Sequence, residues 1–358
     1  MRGNLIRMTT FIALIPLLLA GCLFGPEPAT QEIDPPPDTT AVDSETGTEP
    51  EEKDSDEANE AEEDATEDAS ARSATQEVEL YFKGPEGYVV PYSVAIPKVE
   101  GIAKAQLDHM IKGGAIEETG VLPEGFTPLI PEGTEILSLN IQDGLANVDL
   151  SKEFLNYDAE DEENILSAIT WALTAWDSVD RVNIWINGTP LEEMPEGKTP
   201  AVDMTRENTA INIEMAQGVQ ISDSMPVTLY FLGQSGESTY FVPVTRMVPR
   251  DEDVAQVAIE ELIAGPLQSS ELNTEILDNL EVNDITVEDE TVLADFGEQL
   301  LEYGQENKVS ENAIRSIVLS LTENTGADQV KISVEGQSTV ASAAEPVTRP
   351  AKVNPLGL

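Results

Sequence analysis

The sequence predicts an α+β protein made of two duplicated domains, each a mostly antiparallel sheet with two helices packed on one face, preceded by a disordered tether. Three observations lead there. The string VELYFKG at Val78–Gly84 returns as VTLYFLG at Val227–Gly233. The same succession of amphipathic and alternating stretches follows each copy. The residues before Thr75 have a composition that cannot build a core. The organisation expected is a signal peptide at 1–21, an acidic tether at 22–74, one domain at 75–213, a linker at 214–224 and a second domain at 225–358.

Arg2 and Arg7 flank an apolar run from Met8 to Ala20. That run is too short to cross a bilayer core, which takes about 20 helical residues. A basic flank, a short apolar core and small residues at its exit describe a secretory signal. It ends Leu19-Ala20-Gly21-Cys22, which resembles the bacterial lipobox: cleavage falls between Gly21 and Cys22, and a lipid joins the Cys22 thiol. Cys22 is the only cysteine of the chain, so no intramolecular disulfide can form. The mature protein is then expected at the outer face of the cytoplasmic membrane, anchored by acyl chains such as palmitate that contribute about 0.8 kcal/mol per buried CH₂.

Pro35-Pro36-Pro37 opens the tether, and eighteen of the 68 acidic residues lie between Glu27 and Asp68, with Lys53 the only base among them. Such a segment buries too little apolar surface to offset its ordering entropy, and its like charges extend it. It reads as a spacer between anchor and body. The net charge of −49 argues against bare nucleic acid or an anionic membrane surface as a partner bound by charge, since both need a basic patch.

Within each domain the elements recur in order. The opening strand places Val78, Leu80 and Phe82 inward, with Glu79 and Tyr81 on the other face; Val227, Leu229 and Phe231 repeat the inward set. Pro91 and then Ala103, Leu107, Met110 and Ile111 predict a helix closed by Gly113; Pro243 and then Val254, Ala258 and Leu262 predict its counterpart, closed by Gly265-Pro266. Asp251 and Asp253 suit the positive end of that second helix. Leu139, Ile141, Asp143, Asp149 and Phe154 match Ile285, Val287, Asp289, Asp295 and Leu300 at one constant spacing, and Asp143-Gly144 signals a two-residue hairpin. A second helix carries Ile165, Ile169 and Leu173 in one copy, and Ile314, Val318 and Leu321 in the other. A strand from Val182 to Gly188 matches one from Val330 to Gly336. TRENTAIN at Thr205–Asn212 resembles TRPAKVN at Thr348–Asn354, so both segments are expected to be ordered in equivalent places. One face of each sheet is left solvated or available for pairing.

Chemistry is sparse. His109 is the one histidine; with no cysteine partner it supplies neither a triad nor a zinc site, and it belongs on the polar flank of the first helix. Ser235 in GQSGES does not meet the G-x-S-x-G pattern and has no downstream histidine. Asp158, Glu160, Asp161, Glu162 and Glu163 suit a helix N-terminus, lack the features of an EF-hand loop, and show no carboxylate pair in space. GPEG at Gly84–Gly87 lacks the lysine of a phosphate loop and reads as a hairpin turn. Trp171 and Trp176 do not share a helix face, which points to core packing plus one interface edge. No catalytic, cofactor-binding or metal-ligating residue emerges.

A lipoprotein signal followed by two copies of a unit running VxLYF, amphipathic helix, VDLS (Val148–Ser151), second helix and VxIxVxG resembles the GerMN-domain family, as found in GerM-like sporulation and germination lipoproteins. The likeness runs from Cys22 to the C-terminus apart from the tether, and the first copy departs by carrying Gly113-Gly114 where Gly-Pro is usual. The order of elements also looks like the ring-building motif of secretion-system rings, an analogy of element order alone. The resemblance implies a protein that is no enzyme, holds no cofactor, and acts as a scaffold in the space between mother cell and forespore. Its partners there are envelope proteins of a sporulation complex. The alternative is a small-ligand lipoprotein for germinants or cell-wall fragments, with a pocket between the two copies. Hydrolysis of cell-wall material ranks third.

Overall fold

The computed structural model describes residues 75–236, 238–301, 309–336 and 345–356. The signal, Gly21, Cys22 and the tether lie outside the described residues.

The first repeat opens with an antiparallel ribbon of β1 (Thr75–Lys83) and β2 (Val89–Pro97), which pair from Thr75–Pro97 to Lys83–Val89. The Gly84–Gly87 turn joins them, with Gly84 N donating to Tyr88 O. Helices α1 (Ile102–Asp108) and α2 (Ala115–Thr119) follow, then β3 (Thr127–Pro128), β4 (Ile136–Gln142), β5 (Leu145–Leu150), α3 (Glu162–Leu173), β6 (Arg181–Ile186) and β7 (Thr189–Pro190). Between the repeats lies β8 (Glu214–Met215). The second repeat runs β9 (Ser224–Ser235), β10 (Ser238–Pro249), α4 (Val254–Ala264), β11 (Val282–Glu288), β12 (Thr291–Phe296), α5 (Glu311–Thr325), β13 (Gln329–Val334) and β14 (Val347–Thr348).

Each repeat thus divides its strands between a long ribbon and a four-stranded sheet, ordered β4-β5-β6-β7 in one and β11-β12-β13-β14 in the other. Within these sheets β5–β6 and β12–β13 run parallel and the other pairs antiparallel. A parallel pair needs a crossover connection, and α3 and α5 provide it. Helix α3 packs against both β1 and β6, and α5 against both β9 and β13. Each is therefore buried nearly all round: every residue from Ile165 to Leu173 is buried, as expected of a helix without a solvated face.

The β4–β5 hairpin turns at Asp143 (φ 51°) and Gly144 (φ 75°), the pair of left-handed residues that a type I′ turn demands. A Cβ on Gly144 would fall 2.1 Å from Asp180 Oδ2, so the glycine is required twice over.

One expectation is corrected and one narrowed. Helix α1 ends at Asp108 rather than near Gly113, because the backbone beyond it is drawn away: Lys112 N donates to Ile130 O and Ile130 N to Met110 O. Of the two states expected for the second face of the ribbon, solvated or available for pairing, the first does not hold: Tyr81 and Tyr230 are both 2% exposed, and Tyr230 packs with Leu232, Phe241, Leu319 and Val353. The segment expected as a linker, 214–224, opens on β8, which pairs in parallel with β10 at Glu214–Arg246 and Met215–Met247. One continuous apolar cluster runs through both repeats, from Val78 to Val334.

Candidate functional site: the seam between the repeats

The two ribbons meet along β2 and β10. Proline decides how. Pro91 and Pro243 occupy equivalent positions, facing Tyr81 and Tyr230 respectively. Lacking an N–H, they cannot supply a direct ladder between the two strands. Asparagine side chains bridge the gap, each amide offering two donors and an acceptor. Asn212 accepts from Val89 N at 2.7 Å and donates to Val89 O and to Pro243 O, both at 2.7 Å. Asn354 accepts from Phe241 N and donates to Phe241 O and to Pro91 O, all at 2.8 Å. Each asparagine thus binds the ribbon of its own repeat and reaches one carbonyl of the other, and the two patterns are related by a pseudo-twofold. These are the last residues of TRENTAIN and TRPAKVN, ordered in equivalent places.

The arginines of the same two strings meet nearby. Arg206 donates to Thr174 Oγ1 and Trp171 O of its own repeat and to Glu323 Oε1 of the other, at 3.0, 3.2 and 2.8 Å. Arg349 donates to Thr322 Oγ1, Leu319 O and Glu323 Oε2 at 2.7, 3.0 and 2.5 Å. One carboxylate therefore holds both guanidiniums. Each guanidinium also lies over an aromatic ring, Arg206 at 4.6 Å from Trp171 and Arg349 at 5.7 Å from Tyr230, an arrangement that adds cation–π attraction. Tyr230 donates to Glu323 Oε2 at 3.2 Å, and its counterpart Tyr81 donates to Glu79 Oε2 at 3.1 Å.

The two carboxylates respond in opposite directions. Burial pushes Glu323 up, but Arg206 and Arg349 together outweigh it and hold the carboxyl below the usual range. Burial dominates at Glu79 and raises its carboxyl, against the pull of the same arginines and of the Tyr81 hydroxyl. Glu79, Arg206, Glu323 and Arg349 line an open cleft of about 580 Å³ together with Gln106, Trp176 and Asp328. Its arginines and Glu323 are already engaged with one another.

The family profile described as Germane, sporulation and spore germination, matches residues 79–192 and 228–340. The chain belongs to the Germane family. It is 36% identical over 350 residues to the spore germination protein GerM of Bacillus subtilis (strain 168), covering 94% of each chain. The solved tandem GerMN domains of the sporulation protein GerM from Bacillus subtilis superpose with a TM-score of 0.73 at 36% identity, covering 79% of this chain and all of that one. The fold is accordingly two tandem GerMN domains, and the chain is a homologue of a sporulation and germination protein.

The remaining residues singled out in this Germane-family chain fall outside the cleft or on its wall. His109 caps α1, with Nδ1 at 2.7 Å from Ala105 O. Ser235 donates to Glu124 O at 3.0 Å, a contact between repeats. Trp171 is buried and donates to Thr209 O at 3.0 Å, while half-buried Trp176 donates to Gln106 Oε1 at 2.7 Å.

The acids before α3 do more than face a helix dipole. Asp161, 4% exposed, takes Lys83 at 2.6 Å and Lys112 at 3.7 Å. Glu162 accepts from Tyr157 Oη, from Glu196 N, Gly197 N and Thr199 N, and from Thr199 Oγ1. Burial opposes its charge, but these donors outweigh burial and pull its carboxyl down to about 2. Sequence reasoning placed Asp161 and Glu162 at the helix N-terminus without their partners, and it missed Glu323. The repeated TR…N strings were the one available signal for the seam.

Proposed function

We propose that this chain is a lipid-anchored extracytoplasmic scaffold required for sporulation, and so for germination-competent spores. It supports assembly of a trans-envelope complex between mother cell and forespore and performs no catalysis of its own. In this reading Cys22 carries the lipid after cleavage at Gly21, and the acidic tether carries the body outward from the membrane to envelope proteins. The observation that supports it best is the seam. The asparagine bridges, the arginine clasp and the continuous core weld the two GerMN domains into one presenting body, and the charged groups at the centre answer each other rather than facing outward.

Two experiments test it. Deleting the gene and counting mature spores should show a loss; unimpaired sporulation with normal localisation of envelope proteins overturns the scaffold role. Changing Cys22→Ala should move the protein from the membrane fraction to the soluble one, and unchanged fractionation overturns the anchor.

The cleft itself favours one second reading, a receptor for a small ligand such as a germinant or a cell-wall fragment. Its place between the repeats and its polar lining suit such a site. A thermal-shift screen discriminates, because a ligand that binds only the folded state raises apparent stability. The internal pairing of Arg206, Arg349 and Glu323 makes the scaffold the stronger conclusion.

A further inference from the structure

The two four-stranded sheets end in outer strands of the same length, β4 and β11. Natural outer strands protect their unpaired backbone groups with charge, and a long uncharged one is a template for another strand. β11 follows the rule, carrying Asp284 and Glu288. β4 reads ILSLNIQ, with no charged residue from Ile136 to Gln142, in a chain whose net charge is −49. Helix α1 packs against β4, yet Leu137 and Ile141 remain 45% and 36% exposed.

The turn fixes which backbone groups are free. A two-residue type I′ hairpin makes its flanking residues, Gln142 and Leu145, a hydrogen-bonded pair, and the ladder alternates from there. Asn140–Asn147 is bonded and Ile141–Ala146 and Leu139–Val148 are not, so Ile141 and Leu139 turn their N–H and C=O groups away from β5. No other strand among the described residues pairs with that side. The side chains of Leu139 and Ile141 form an apolar ledge beside it, and exposed Leu137 stands where the register shifts between Ile136 and Ser138.

We propose that β4 is a docking edge for an extended segment of a basic partner protein, added as a further strand with apolar side chains at alternate positions over that ledge. Charge selects the partner. Exposed Glu135 and Asp143 bracket the uncharged strand, and Glu132 and Asp180 stand exposed beside them. A second copy of this chain paired antiparallel through β4 would set Glu135 against Asp143 and join two strongly acidic bodies, which like-charge repulsion opposes. A strand with lysine or arginine at both ends meets acid at both ends instead. Main-chain hydrogen bonds supply affinity and the alternate side chains supply specificity. This inference rests on the scaffold reading and names one surface for it.

The test uses the full chain and a synthetic eleven-residue peptide, KKVTVTVTVKK, against its acid-flanked twin, EEVTVTVTVEE. Saturable binding of the basic peptide is expected, at least tenfold tighter than that of the twin and weakened by salt. Ile141→Pro removes an outward N–H while sparing the β4–β5 ladder, and should abolish binding with the thermal transition retained; Ile141→Val should bind as the parent does. If Ile141→Pro fails to fold, Leu137→Glu gives β4 the kind of charge that β11 already carries and should weaken binding tenfold. Equal binding of both peptides, no saturation at millimolar peptide, or full binding by a folded Ile141→Pro or Leu137→Glu overturns the docking edge. In cells, a folded Ile141→Pro that sporulates normally overturns the edge alone, whereas normal sporulation after gene deletion overturns the scaffold reading itself.

Discussion

The two repeats share strands, turns and helices in the same order, yet their equivalent positions are filled very differently where charge is concerned. Glu323 of α5, which holds both arginines, corresponds to Ala175 in the first repeat. Arg246 of β10, 2% exposed and bound to Glu214, to Glu261 and to the carbonyls of Glu261 and Gly265, corresponds to Val94. Glu162, which gathers the loop at 196–199, corresponds to Ser310, which caps α5 by accepting from Asn312 N and Ala313 N. The apolar frame and the paired arginines Arg206 and Arg349 are common property, whereas Glu323, Arg246 and Glu162 each belong to one repeat only. A buried charge without its partners is expensive, so such a group appears where its full set of partners exists and nowhere else.

That contrast can be broken by substitution, most severely at the clasp. Glu323→Ala leaves two guanidiniums without a carboxylate in a largely buried setting. It should cost about 3–5 kcal/mol and lower the thermal midpoint by roughly 10 °C. A midpoint within a degree or two of the parent would show that the clasp does not hold the repeats together.

The next test separates the two asparagines. Asn354 is buried and Asn212 half-buried, so the pseudo-symmetric losses are unequal. Asn354→Ala should cost about 2–3 kcal/mol and Asn212→Ala about 1–2, because unpaired groups cost more where water cannot reach them. Denaturant titration measures both, and the reverse order would sink the argument.

Glu162 sharpens the comparison by pH. Its folded carboxyl lies at about 2 and the ordinary value is 4.5. Its stabilisation is therefore complete above the ordinary value and is lost as pH falls from 4.5 towards 2, where the unfolded chain binds the proton first. Glu162→Gln should cost about 2 kcal/mol at neutral pH and flatten that part of the acid limb, whereas Ser310→Ala should cost about 1 kcal/mol at any pH.

Glu79 gives the smallest effect and the opposite sign. Its folded carboxyl is raised, so the stability linked to it is present below the ordinary value and is lost as pH rises through the folded one. Glu79→Gln should therefore lower neutral-pH stability by no more than a few tenths of a kcal/mol, or raise it by up to about 1 kcal/mol. A loss as large as that of Glu323→Ala would mean that the two carboxylates share the arginines equally.

Much of the frame was legible because it depends on local pattern. Asp143-Gly144 announced its turn, Val78, Leu80 and Phe82 announced their face, and the doubled TR…N strings pointed to two ordered segments in equivalent places. The rest depends on what arrives from elsewhere in the chain. Tyr81 reads as an outward residue of an alternating strand, yet it is 2% exposed, with Glu79, Arg206, Tyr230 and Glu323 close enough to act on its hydroxyl. Helix α1 reads through to Gly113 because nothing local shows that Ile130 will pair with Met110 and Lys112. Glu162 and Glu323 were hidden by numbers: among 68 acidic residues, a carboxylate with five donors looks like one with none. The seam was half visible for the same reason, since its arginines are scarce and its acids are not.

Asn354 reaches the carbonyl of Pro91 across nearly the whole folded chain. Asn354 thus completes the first hairpin as well as the second ribbon. A chain released before residue 354 leaves the Pro91 and Phe241 carbonyls and the Phe241 N–H unanswered inside the joint, at a cost of at least the roughly 2–3 kcal/mol expected of Asn354→Ala. Truncated products of interrupted translation would be poorly closed and open to proteolysis. Asn354 therefore closes the joint: a polypeptide that stops short of it lacks the side chain that ties the first hairpin to the second.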